Sequence, residues 1–91
     1  MQLVWQSNAW EDYLSWGEKD EKVRKKINSL INACHRDPFR GIGKPEALRG
    51  TYKGIWSRRI TGEHRLIYAV RNQYLHILQC RFHRDAQPTL K

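Results

Sequence analysis

The sequence has no apolar run approaching the roughly 18 residues by which a membrane span is recognised. Its opening stretch, MQLVWQSNAWEDYL, lacks a basic region followed by an apolar one. Neither a membrane-spanning segment nor a signal peptide is expected, and the expected location is the cytoplasm. No glycine-rich phosphate loop precedes a helical pattern, there is no HExxH, and the Cys and His residues do not cluster at metal-ligand spacing. These absences remove the P-loop nucleotide enzymes and the common zinc sites, and no metal or cofactor is expected. Cysteine is scarce. Cys34 and Cys80 stand far apart without a CxxC pair, so two buried reduced thiols are expected rather than a disulfide framework. A chain of 91 residues has room for only one core.

What is present argues for a folded, basic domain. Four Trp, four Tyr and two Phe in so short a span exclude a disordered chain. The mean hydropathy of −0.81 is low because charged residues abound, while the apolar share stays at 40%. Seventeen Lys and Arg outnumber nine Asp and Glu, for a formal charge of +8. The excess is uneven. Residues 1–34 carry five bases and five acids, whereas residues 35–91 carry twelve bases and four acids, so the whole surplus lies in the second part. Such an excess on one part of a small fold suits a polyanionic partner, with an acidic protein surface as the other reading.

Residues 2–5 are a short apolar run that suggests a strand. Asn8 stands three residues before Glu11, a capping-box spacing, and Ala9, Trp10, Tyr13 and Leu14 follow at helical intervals until Trp16-Gly17. Asp20 is placed to cap a second helix with the apolar stripe Val23, Ile27, Leu30, Ile31 and Cys34, which Pro38 keeps from continuing. Residues 37–47 hold two prolines and two glycines and read as a loop, with Arg40, Lys44 and Glu46 on it. Beyond residue 50 come three strand-like runs, 55–60, 65–70 and 74–83, with polar turns at Thr61-Gly62 and Arg71-Asn72-Gln73. Alternation in the last run puts Leu75, Ile77, Gln79, Arg81 and His83 on one face and Tyr74, His76, Leu78, Cys80 and Phe82 on the other. The fold class is therefore α+β: two N-terminal helices packed on a small antiparallel sheet, with much of the basic half on the sheet's opposite face.

The residues available for chemistry are carboxylate, imidazole and guanidinium. RNA is cut by its own 2′-hydroxyl when a base takes the 2′-OH proton, an acid protonates the leaving 5′-oxygen, and cations stabilise the phosphorane. Composition permits that set without selecting it. Glu46 alone reads as a solvated loop carboxylate. His35, His64, His76 and His83 are dispersed and read singly as packing or surface residues. Trp56 and Tyr68 sit in apolar strands and read as core or partner contacts rather than base-stacking platforms. Arg58 and Arg59 alternate, so they point to opposite faces.

Three strings carry a resemblance. They are Trp56-Ser57-Arg58-Arg59-Ile60-Thr61 continued through Glu63-His64-Arg65-Leu66-Ile67-Tyr68-Ala69-Val70, then Gly43-Lys44-Pro45-Glu46-Ala47-Leu48, and Cys80-Arg81-Phe82-His83. With Leu3-Val4-Trp5 and Lys25-Lys26-Ile27-Asn28, the chain resembles YoeB-type toxins of the RelE superfamily over residues 1–83. The resemblance implies a microbial-RNase-like fold and an endoribonuclease that enters the ribosomal A site. There it would cleave mRNA to a 2′,3′-cyclic phosphate and a 5′-hydroxyl, inhibiting translation. It implies Glu46 as general base, Arg65 as phosphate clamp and His83 as general acid. Lys44, Arg49, Arg59, Arg81 and Arg84 are implied as RNA contacts. It also implies a YefM-type antitoxin as partner, operator DNA only through the antitoxin complex, and homodimers. Residues 1–84 would form the single toxin domain and 85–91 a flexible tail. Phe82-His83-Arg84 departs from the Tyr-His-Tyr usual in the family, losing two hydroxyls around the His. The alternative is a catalytically weakened RNA- or ribosome-binding protein that acts mainly as antitoxin partner and transcriptional corepressor.

Overall fold

The computed structural model describes residues 1–49 and 54–82. His83, Arg84, the boundary at residue 84 and the tail 85–91 lie outside the described residues. Strand β1 (Gln2–Trp5) leads into α1 (Ser7–Lys19) and α2 (Glu21–Arg36), followed by the short β2 (Glu46–Ala47), β3 (Ile55–Arg59), β4 (Arg65–Arg71) and β5 (Tyr74–Gln79). Among the described residues the sheet order is β1-β5-β4-β3-β2. The four later strands form the antiparallel meander expected of the second half. The first strand adds a parallel edge, with Gln2 opposite Tyr74 and Trp5 opposite Ile77. A parallel pair needs a long crossover, and the two helices supply it.

The second helix forms as its sequence indicates. The Asp20 carboxylate accepts the backbone N–H groups of Lys22 at 3.0 Å and Val23 at 3.4 Å, satisfying two orphan donors of the first turn. The stripe from Val23 to Cys34 is buried, and the helix stops at Arg36, two residues ahead of Pro38. The first helix departs from expectation. It starts at Ser7 with no side-chain cap and runs past Gly17 to Lys19. Asn8 does not cap it. Its amide Nδ2 donates instead to the Leu78 carbonyl at 2.9 Å. The parallel pairing continues through the Gln6 N–H to the Ile77 carbonyl at 3.0 Å and sets the chain entry, so a tertiary bond displaces the local capping box.

The sheet is apolar on both faces. On the helix face, Ile27, Leu30 and Cys34 of α2 meet Leu66, Tyr68, Leu75, Ile77 and Cys80. On the far face Ile55, Ile67, Ala69 and Leu78 form a second buried cluster with Leu48 packed against it. At ~1.5–3 kcal/mol for each large buried apolar side chain, both clusters contribute substantially to a domain this small. The far face is thus apolar at its centre, and the charges expected there gather towards one end. Asn72 and Gln73, both with positive φ, make the tight β4–β5 turn.

One irregularity changes the reading of the last strand. Tyr68 pairs with Ile77, and the next residue, Ile67, pairs with Gln79, which leaves Leu78 as the extra residue of a β-bulge. Leu78 and Gln79 consequently both face Ile67, and Cys80 falls on the helix face beside Leu75 and Ile77. The even–odd alternation inferred from the sequence is therefore inverted from Gln79 onward. The regular strand also ends at Gln79, short of the expected His83.

Candidate active site

The loop after α2 is moored by a buried arginine. Arg58 lies on the helix face of β3 and is fully buried. Its guanidinium donates to the Ile42 carbonyl at 2.8 Å, to Asp37 at 2.6 Å and to Arg40 at 2.8 Å. Its Nε donates to the Tyr68 hydroxyl at 3.1 Å, and that hydroxyl donates to the Pro38 carbonyl. Burial pushes the Tyr68 phenol up to about 12, so it remains a neutral donor in this network. Arg58 therefore holds the loop and is unavailable to a ligand, whereas Arg59, one residue on, is exposed. Trp56 is half-buried with its ring 4.9 Å from Phe39. Core packing accounts for both Trp56 and Tyr68.

The loop closes on Gly43, where φ is +82°. Its carbonyl accepts the Arg59 N–H at 2.7 Å. A Cβ here would lie 2.7 Å from Leu30 Cδ2 and 3.1 Å from Arg58 Cβ, so only glycine fits this close approach. Lys44 follows with φ of 51° and is exposed. Two residues on, Glu46 opens β2 and is exposed opposite Ser57. The expected loop thus ends in a short edge strand that fixes the direction of the Glu46 side chain.

Register brings three of the expected residues onto one face. Glu46 stands opposite Ser57, Ser57 opposite Ile67, and Arg59 opposite Arg65. Ile67 belongs to the far-face cluster, and residues two apart on a strand share a face. Glu46, Arg59 and Arg65 therefore all lie on the far face of β2, β3 and β4. The ladder spacing separates the Glu46 and Arg65 backbones by on the order of 10 Å, a span that a carboxylate and a guanidinium reach across to meet one phosphate between them. Arg49 is exposed one residue beyond Leu48. It lies past the end of β2, so the strand register does not align it with Glu46. Arg81 is half-buried, its guanidinium 5.9 Å over the Trp16 ring and 4.9 Å over the Phe82 ring. It is engaged with α1 rather than aligned with Leu75 and Ile77.

His64, read from the sequence as a packing or surface residue, also satisfies a distant backbone group: its Nδ1 accepts the Phe82 N–H at 2.8 Å. The Thr61 hydroxyl makes the turn, accepting the N–H groups of Glu63 and His64 at 3.2 and 3.1 Å. Cys34 and Cys80 are both free and buried, and burial pushes both thiols up, so neither is a nucleophile. On the helix side, Leu3, Trp5, Trp10, Tyr13, Asn28, Ile31 and Asn32 line a groove of about 510 Å³. Trp16 is core, Trp5 half-buried and Trp10 44% exposed.

The fold is a small basic α+β domain with a carboxylate and two guanidinium groups on one sheet face, an arrangement chemically suited to an anionic ligand such as a phosphate. Residues 5–84 match the family model of the YoeB-like toxin of bacterial type II toxin-antitoxin systems. The chain belongs to that family and is the toxin of such a system. It is 53% identical to toxin YoeB of Escherichia coli K12 over 83 residues, covering 91% of this chain and 99% of that protein. The YoeB/ParE toxin from Agrobacterium tumefaciens superposes with a TM-score of 0.89 at 50% identity, covering 91% of this chain and 99% of the other. The YoeB of Staphylococcus aureus has been solved as a dimer, with a TM-score of 0.86, and as a heterotetrameric YoeB-YefM toxin-antitoxin complex, with a TM-score of 0.84. Each is 39% identical and covers 91% of this chain and 97% of the other.

Proposed function

We propose that this toxin is an endoribonuclease that cleaves mRNA in the ribosomal A site and so inhibits translation. The observation that carries this reading is the shared far face of Glu46, Arg59 and Arg65 on three adjacent strands. Glu46 takes the proton of the 2′-hydroxyl. The 2′-oxygen forms a bond to the adjacent phosphorus while Arg65 stabilises the charge on the phosphorane oxygens. The bond from phosphorus to the 5′-oxygen breaks as His83 donates its proton to that oxygen. The products are a 2′,3′-cyclic phosphate and a 5′-hydroxyl, and no step calls on a metal ion.

Lys44, Arg49, Arg59, Arg81 and Arg84 contact the message, with Arg59 the best supported because it faces the same way as Glu46. The partner is a YefM-type antitoxin, supported by the YoeB-YefM complex of the Staphylococcus relative. The dimer of that relative supports a homodimer. Operator DNA is reached through the antitoxin complex, and the toxin acts in the cytoplasm, where its ribosomal substrate lies. The toxin domain of this reading spans residues 1–84.

Primer extension on mRNA held in programmed ribosomes tests the reading, with free mRNA alongside. The wild type is expected to cut within the A-site codon and to leave free mRNA intact. Glu46→Ala is expected to lower the rate by about 10²–10⁴, the usual worth of a general base. Equal cutting of free mRNA would overturn the ribosome dependence, and an unimpaired Glu46→Ala protein would remove the base.

A further inference from the structure

We propose that His64 is a positioning residue, whose neutral imidazole holds Phe82, the residue before His83 in sequence, in a left-handed backbone conformation beside Arg65. The inference rests on the reading of His83 as general acid. It starts from a gap in the sheet. Strand β5 has β1 as its outer neighbour only as far as Ile77, because the chain turns after Trp5 into α1. From Leu78 onward, side chains of α1 replace that neighbour. Asn8 Nδ2 donates to the Leu78 carbonyl at 2.9 Å, and Trp16 Nε1 donates to the Cys80 carbonyl at 2.9 Å. The Asp12 carboxylate accepts the Cys80 N–H. Asn8, Asp12 and Trp16 are spaced four apart, so one helix face supplies all three.

Past Cys80 this support ends, and the chain bends through Phe82 with φ of 68°. A bulky residue in that region is an outlier that persists only where its surroundings over-determine it. Two backbone bonds do so. The Phe82 N–H donates to His64 Nδ1 at 2.8 Å, and the Phe82 carbonyl accepts the Arg65 N–H at 3.0 Å. Both partners are consecutive residues at the start of β4, and the second bears the guanidinium assigned to the phosphate. The His64 ring is itself wedged edge-on against Trp16 at 4.8 Å, which fixes its orientation. One short turn therefore ties the clamp residue to the residue preceding the general acid.

The bond has a protonation requirement. Nδ1 accepts a hydrogen only in the neutral imidazole. In the imidazolium both nitrogens donate, and the Phe82 N–H would face another donor. The charged groups around the ring are Asp12 from α1 and Arg81 after β5, of opposite sign. Glu63 and Arg65, its sequence neighbours, oppose one another in sign. Protonation of His64 would break this bond and release the Phe82 backbone.

Two substitutions separate the anchor from mere packing. His64→Asn keeps an acceptor oxygen near the position of Nδ1 without a titrating group, and His64→Phe keeps the ring against Trp16 without an acceptor. Amide hydrogen exchange at Phe82 reads the anchor directly. Protection is expected in the wild type at neutral pH and in His64→Asn at every pH where it is folded. It is expected to be lost in His64→Phe and in the wild type as the imidazole protonates. In the ribosome assay His64→Phe is expected to lower kcat at least about tenfold with little change in KM, since a displacement of about 1 Å at reacting groups costs up to about 10²-fold. His64→Asn is expected to recover most of that loss and to hold its rate to lower pH than the wild type. Unchanged exchange at Phe82 in His64→Phe overturns the anchor whatever the ribosomes show. Protected exchange in His64→Asn with a rate as low as that of His64→Phe overturns its bearing on catalysis. A wild type that cuts nothing overturns the nuclease reading instead, and exchange alone then decides the anchor.

Discussion

At the scale of single residues, neighbours with the same side chain do opposite work. Arg58 and Arg59 differ by one step on β3, yet one is sealed into the core and the other faces solvent beside Glu46. The two-residue period of a strand made that divergence legible in the sequence. Which arginine went inward was not legible, because the answer depends on where the loop carbonyls of Asp37, Arg40 and Ile42 arrive. Arg58→Met keeps the apolar stem and removes the guanidinium, leaving those carbonyls and the Tyr68 hydroxyl without their donor. Loss of such a buried network is expected to cost about 2–4 kcal/mol. Thermal unfolding should register it as a fall of roughly 4–8 °C per kcal/mol in a domain of this size. Glu46, Arg65 and His83 came from the resemblance. Strand register has since brought the first two onto one face, a relation that no spacing along the chain encodes.

At the scale of elements, α2 was readable in full, since an Asp cap, a five-residue apolar stripe and a following proline all agree. The first helix was readable only in part. Asn8 has the character of a cap, but the Leu78 carbonyl, seventy residues away, takes its amide. The bulge at Leu78 left no mark in the sequence: the alternation continues smoothly through it, and only the pairing with β4 shows the extra residue. The loop read over residues 37–47 was recognised by its prolines and glycines, though Glu46 and Ala47 form β2, and its mooring by Arg58 was not legible. Gly43→Ala tests that mooring. The added Cβ meets Leu30 and Arg58 at a positive φ. The substitution is expected to destabilise the fold by about 1–3 kcal/mol in denaturant titration and to lower ribosomal cleavage by shifting Glu46.

At the scale of the whole molecule, the asymmetric charge was plain from the sequence, whereas the parallel closure of β1 onto β5 was not, because two short apolar runs seventy residues apart carry no signal of each other. The Asp12 carboxyl is half-buried where that closure meets α1, and desolvation raises it above the ordinary aspartate value of 3.8 despite the Cys80 N–H and Arg81. A raised carboxyl favours the fold fully below its unfolded value and loses that contribution as pH climbs through the raised one. Asp12→Asn keeps an acceptor for Cys80 without the charge, so it is expected to melt higher than the wild type at neutral pH. The two should converge in acid, and a constant difference across the pH range would refute the assignment. The closure also has a consequence for synthesis. The first strand made has no partner until the last strand has been made, and the segment beyond β5 is gripped by a helix that must wait as long. A nascent chain therefore cannot seat β1 until β5 has been made, so the parallel edge of the sheet closes only after the antiparallel strands are available to receive it.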